Sequence, residues 1–136
     1  MNLLKFSLYF FLCFCIISCN HKQKRTKNIH QKYAFFMETD SECFDFGTIK
    51  ENEGLIKHTF KIKNTSNDTI IINKVLQGCG CISVSYPPQP IFPSSTIDFT
   101  VSFNPKNRYG IFHKVILILL NNGAFYITLT ICGNIE

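Results

Sequence analysis

The sequence predicts an all-β fold, two packed sheets of short strands, and three observations carry that prediction. Apolar residues recur at every second position through the second half of the chain, the period that puts one face of a strand inward and the other outward. Turn-forming clusters interrupt these runs roughly every eight to twelve residues, the spacing of a β-sandwich. No stretch beyond the N-terminal leader shows the three-and-four spacing of an amphipathic helix. Together they point to an immunoglobulin-like antiparallel β-sandwich of about seven strands. A true antibody-like domain is not expected, because the chain has no tryptophan to supply the usual core hallmark.

Residues 1–18 carry one basic residue, Lys5, and an uncharged run from Phe6 to Ile17. That run is too short to cross a bilayer as a helix of roughly 20 apolar residues, and it reads as a signal peptide. It ends in Ile16-Ile17-Ser18-Cys19, which resembles a lipobox and makes Cys19 the expected lipidation site. Residues 19–37 are then the lipidated cysteine and a flexible tether, and residues 38–136 the folded domain. The tether holds Lys22, Lys24, Arg25, Lys27 and Lys32, whereas from Tyr33 onward 8 basic residues face 9 acidic ones. The net charge of +5 therefore belongs to the tether, beside the membrane. A nucleic-acid partner is excluded on the same count, since such a domain shows its basic excess on its own surface. Asn20 to Lys32, 13 residues, gives a root-mean-square reach of about 20 Å.

The strands follow. Phe44–Ile49 is the first, closed by Lys50-Glu51-Asn52-Glu53-Gly54. In Leu55–Asn64 the inward set is Ile56, His58, Phe60 and Ile62, with Lys57, Thr59, Lys61 and Lys63 outward. The turn Asn64-Thr65-Ser66-Asn67-Asp68 leads to a strand over Thr69–Val75, and Ile82–Tyr86 forms the next. Pro87, Pro88, Pro90 and Pro93 make a rigid connection without ladder donors. Ile97–Asn104 alternates cleanly, with Ile97, Phe99, Val101 and Phe103 inward. Val115–Leu120 is apolar at every position, as expected of a central strand covered on both faces. Asn121-Asn122-Gly123 turns it into the last strand, Phe125–Cys132, whose inward set is Phe125, Ile127, Leu129 and Ile131.

Chemistry concentrates at Cys79-Gly80-Cys81, where the glycines at 78 and 80 remove side-chain hindrance. Three readings of the pair stand: thiol exchange, soft ligation of copper or zinc, or a structural role that includes pairing with Cys43 or Cys132. No third and fourth ligand at recognisable spacing accompanies the pair, so no metal or cofactor is assigned. Four mature cysteines allow three connectivities, and an oxidising compartment permits all of them. Cys43 and Cys132 fall out of phase with the inward Phe44/Phe46 and Leu129/Ile131 sets. They meet on an outer face if the first and last strands are neighbours. His58 shares a face with Ile56 and Phe60 and reads as a core-edge residue, and His113 beside Lys114 reads as solvent-exposed. Asp45, Asp68 and Asp98 have no partner at acid/base spacing, and Ser94-Ser95 lacks a nucleophile elbow. No catalytic residue is expected.

Several segments resemble one known family. These are Phe44-Asp45-Phe46-Gly47-Thr48-Ile49, His58-Thr59-Phe60 with Lys63-Asn64-Thr65, Cys79-Gly80-Cys81, Pro90-Ile91-Phe92-Pro93, Val101-Ser102-Phe103-Asn104-Pro105 and the closing Cys132-Gly133-Asn134-Ile135. Taken together from Phe44 to Ile135 they are similar to the domain-of-unknown-function family DUF1573. Ile82, Ser66 and Ser94-Ser95 depart from its usual residues. The resemblance implies exported bacterial lipoproteins with a fold similar to the ASH and major-sperm-protein domains, and it implies no activity. The expected function is a lipid-anchored module of the cell envelope, periplasmic or outer-membrane associated, that binds an envelope protein or polymer and catalyses nothing. The alternative is a thiol-redox or copper- or zinc-handling protein using Cys79 and Cys81.

Overall fold

The computed structural model describes residues 36–136, so the expected signal peptide, Cys19 and nearly all of the tether lie outside the described residues. Among the described residues eight strands are formed: β1 (Met37–Thr39), β2 (Cys43–Ile49), β3 (Ile56–Asn64), β4 (Ile72–Leu76), β5 (Ile82–Ser85), β6 (Thr96–Phe103), β7 (Gly110–Leu120) and β8 (Phe125–Ile135). They make two four-stranded sheets, one ordered β1-β3-β6-β5 and the other β2-β8-β7-β4. The inward phases expected from the sequence hold: Phe60, Ile62, Phe99, Val101, Phe103, Ile116, Ile118, Leu129 and Ile131 form the core between the sheets.

Four details differ from the expectation. The added strand is β1, where Met37 pairs with Asn64 and is buried although the sequence places it in the tether. Three residues are too few to show a period, so pairing with β3 decides the structure there. The sandwich is also not wholly antiparallel, because β2 lies parallel to β8. The chain leaves β1 in one sheet and, after Asp40–Glu42, joins the other sheet as its edge strand. The strand expected over Thr69–Val75 begins only at Ile72, while Ile70 makes an isolated bridge to Ile91.

The fourth difference concerns the apolar run Val115–Leu120. It is central within its sheet, between β8 and β4, but only its inner face meets the opposing sheet. Ile116, Ile118 and Leu120 are fully buried, whereas Val115 is 47% exposed and Leu117 and Leu119 are half-buried. Coverage of both faces is therefore corrected to coverage of one. Two layers bury only the surfaces that face each other.

One buried polar side chain anchors the loops at the end of β3. Asn64 is fully buried, and its Nδ2 donates to the carbonyls of Asp68 (2.8 Å) and Ile91 (2.9 Å). Its Oδ1 accepts from the Ser66 amide (2.9 Å) and hydroxyl (2.7 Å). The side chain thereby ties the β3–β4 loop to the proline-rich connection, and Ile70 and Ile91 are drawn into the core at 2% and 1% exposure.

Candidate functional site

Cys79 and Cys81 lie on the crossover from β4 in one sheet to β5 in the other. Gly78 reaches a positive φ of 64°, which lets the chain turn between the sheets. The two cysteines are disulfide-bonded to each other, with Cα atoms 5.2 Å apart. The Cys81 amide donates to Cys79 Sγ at 3.1 Å, and the Asn104 amide donates to the Cys81 carbonyl at 2.9 Å. Cys81 belongs to the buried core and Cys79 packs against it. The bond therefore closes a tight ring on the crossover.

The other two cysteines come together elsewhere. β2 and β8 are neighbours, with Asp45 opposite Cys132 and Cys43 opposite Thr130. This places Cys43, Asp45 and Cys132 on the outer face, with Cys43 Sγ 3.5 Å from Cys132 Sγ. His113 on β7 stands opposite Cys132 on its other side. The Cys132 thiol is held above its usual range, first by its hydrogen bond to Cys43, then by partial desolvation and the negative charges of Cys43 and Asp45. Among the described residues, no three His, Cys, Asp or Glu side chains come together to hold a metal ion.

The remaining singled-out residues take scaffold positions. His58 stacks on Phe44, with ring centroids 4.0 Å apart and 6° between planes, and meets Phe60 edge-on at 4.6 Å. Its Nε2 is buried without a hydrogen-bond partner among the described residues. Asp98 pairs with Lys61 at 2.6 Å on an exposed face, and Asp45 Oδ1 accepts from the Gly47 amide at 2.8 Å. A cleft of about 620 Å³ runs between β1 and β8. Its described lining offers the carboxylates Glu38 and Glu42 and several hydroxyls, and no Cys, His, Lys or Arg.

The outer faces of the two sheets differ sharply. On the β1-β3-β6-β5 sheet the outward side chains of the two central strands are Lys57, Thr59, Lys61 and Lys63, then Thr96, Asp98, Thr100 and Ser102. On the other sheet Leu76 sits opposite Leu117, Lys74 opposite Leu119 and Tyr126 opposite Leu119, with Val115 following along β7. Leu76 is 40%, Tyr126 44% and Ile111 90% exposed. The sequence reading missed this apolar face. Its signal was the run Val115–Leu120, whose second apolar face is covered by no strand among the described residues.

Solved structures share the fold at low identity. A protein of unknown function from Porphyromonas gingivalis superposes with a TM-score of 0.61 at 15% identity, over 72% of this chain and 46% of that one. The VesB protease of Vibrio cholerae gives 0.63 at 12% identity, over 76% and 33%. The ASH/PapD-like domain 7 of human CEP192 gives 0.61 at 7% identity, over 74% and 85%. This chain thus spans less than half the length of the first two. No match was found among curated proteins. The sequence profile described as "Protein of unknown function (DUF1573)" matches residues 37–135, from the start of β1 to the end of β8, and the chain belongs to that family.

Proposed function

We propose that the chain is a lipid-anchored lipoprotein of the cell envelope whose immunoglobulin-like domain binds another envelope protein and catalyses no reaction. The single observation that carries this reading is the apolar outer face of the β2-β8-β7-β4 sheet, set against the polar outer face of its partner sheet. A contiguous apolar patch rimmed by polar groups is costly to leave in water and marks a contact surface on a folded domain. Leu76, Val115, Leu117 and Leu119 supply the patch, with Lys74 and Thr128 at its rim. Lipidation at Cys19 holds the domain at the membrane and the basic tether lets it reach a neighbour. The alternative, thiol exchange or metal handling by Cys79 and Cys81, has less support, because Cys81 is 8% exposed and the pair packs on the core.

A photo-crosslinking amino acid at Val115 or Leu76, in intact cells, tests the binding reading. The same partner protein should be captured from both positions and not from Lys57 or Ser83 on the polar face. Capture of no recurrent protein, equal capture from both faces, or an adduct of twice the chain's own mass overturns it. Anchoring is read separately: Cys19→Ala should abolish incorporation of labelled palmitate.

A further inference from the structure

We propose that Cys43 and Cys132 are a thiol modification site, a second disulfide couple that an external disulfide oxidises, stapling β2 to β8. With Cys79 and Cys81 already joined, these are the free cysteines among the described residues. Their sulfurs stand 3.5 Å apart, and a disulfide needs about 2.05 Å. Cys43 is exposed and Cys132 partly so, so a small rotation of either side chain closes the gap without displacing the core. The titratable groups in register with Cys132 on this face are Asp45, beside it on β2, and His113, opposite it on β7; Lys74 and Tyr126 lie further along the same face. Neither comes close enough to complete a metal site with the two sulfurs.

β2 gains from such a bond. Among the described strands it lies at the sheet edge with β8 as its one neighbour, and its register shifts between Asp45 and Thr48. A link between residues 89 apart in sequence removes much chain freedom from the unfolded state. The chemistry balances as thiol–disulfide exchange. One cysteine loses its proton and attacks a sulfur of a small dialkyl disulfide, releasing one thiolate and leaving a mixed disulfide on the protein. The second cysteine, also deprotonated, attacks the protein-bound sulfur and releases the other thiolate. Two protein thiols become one disulfide, and one external disulfide becomes two thiols. The geometry lets either cysteine act first.

The test uses the full-length chain, reduced under mild conditions that leave it folded and then equilibrated with glutathione disulfide. Alkylation, tryptic digestion and mass spectrometry without reduction should find residues 33–50 joined to residues 115–136 within a single chain, and residues 75–106 closed internally. The oxidised protein should melt on the order of 10 °C above the form with Cys43 and Cys132 reduced. That difference should vanish in Cys43→Ser. Free thiols at both positions after oxidation, links from either to Cys79 or Cys81, a link found only between two chains, or stoichiometric zinc held by the reduced pair would each overturn the proposal. The peptide mapping needs no variant, so a Cys43→Ser chain that fails to fold leaves the decision intact.

Discussion

Asn64 shows how one buried amide decides the path of two loops. Its side chain makes four hydrogen bonds at zero exposure, so Asn64→Ala takes one donor each from the Asp68 and Ile91 carbonyls and removes the acceptor of the half-buried Ser66 amide, leaving a cavity where the amide stood. The expected loss is about 2–4 kcal/mol, read as a fall in urea midpoint with an unchanged slope. A loss below about 1 kcal/mol would show that water replaces the side chain. His58 presents the opposite case, since its Nε2 is buried with no hydrogen-bond partner among the described residues while its ring stacks flat on Phe44. His58→Phe keeps the stack and removes the stranded nitrogen, so stability should rise by about 1 kcal/mol. An equal or lower melting temperature counts against this. The sequence placed His58 correctly because its phase with Ile56 and Phe60 is a local property. It assigned Asn64 to a turn, because the Ile91 carbonyl it binds is 27 residues away. The Cys132 thiol gives a pH test. Its folded position lies above that of an isolated thiol, chiefly through Cys43, so the reduced pair's contribution is present below the ordinary thiol range and lost as pH rises through the raised value. Alkylation of Cys132 should therefore reach its half-maximal rate at higher pH than for an unfolded peptide. Cys43→Ala should bring that midpoint down.

The bulged strand β2 depends on a glycine in another strand. Gly47 adopts a positive φ of 70° where the β2–β8 register shifts, and Gly133 of β8 lies directly beneath. A Cβ at position 133 would run into the Phe46 ring and come 2.6 Å from the Gly47 carbonyl oxygen. Phe46 cannot retreat freely, because it stacks on Phe103 at 5.3 Å and leans on Phe112 at 6.1 Å. Gly133→Ala should cost about 2–3 kcal/mol, with β2 the strand that loses amide protection first. Uniform loss of protection across both sheets would contradict that order. Strands with a clean period-two pattern, β3, β6 and β8, were legible from sequence because each buries one face against the opposing sheet. β1 and the late start of β4 were not, since they depend on pairing with β3 and on the Ile70–Ile91 bridge. The thiol pair at Cys43 and Cys132 was legible as a possibility, through phase alone. Its realisation required that β2 run parallel beside β8, which no local pattern encodes.

The two outer faces of the sandwich carry the same kind of backbone and opposite side chains, and this asymmetry gives the sharpest test of the binding surface. An all-apolar strand such as Val115–Leu120 asks for cover on both faces, and the described strands supply it on one. Leu76 and Val115 each expose a large share of their surface while flanking the half-buried Leu117, so Leu76→Glu with Val115→Glu puts two charges on the patch without entering the core. Because these positions already meet water, the melting temperature of the isolated chain should move by only a few degrees. Two carboxylates in the centre of a desolvated contact should lower partner capture by at least about tenfold, or roughly 1.4 kcal/mol. Lys57→Glu with Lys61→Glu makes an equal or larger change of charge on the polar face and should leave capture intact. Were the lysine pair the more damaging, attraction of opposite charges at the polar sheet would hold the partner. The apolar second face of β7 would then not be the surface that the captured partner covers.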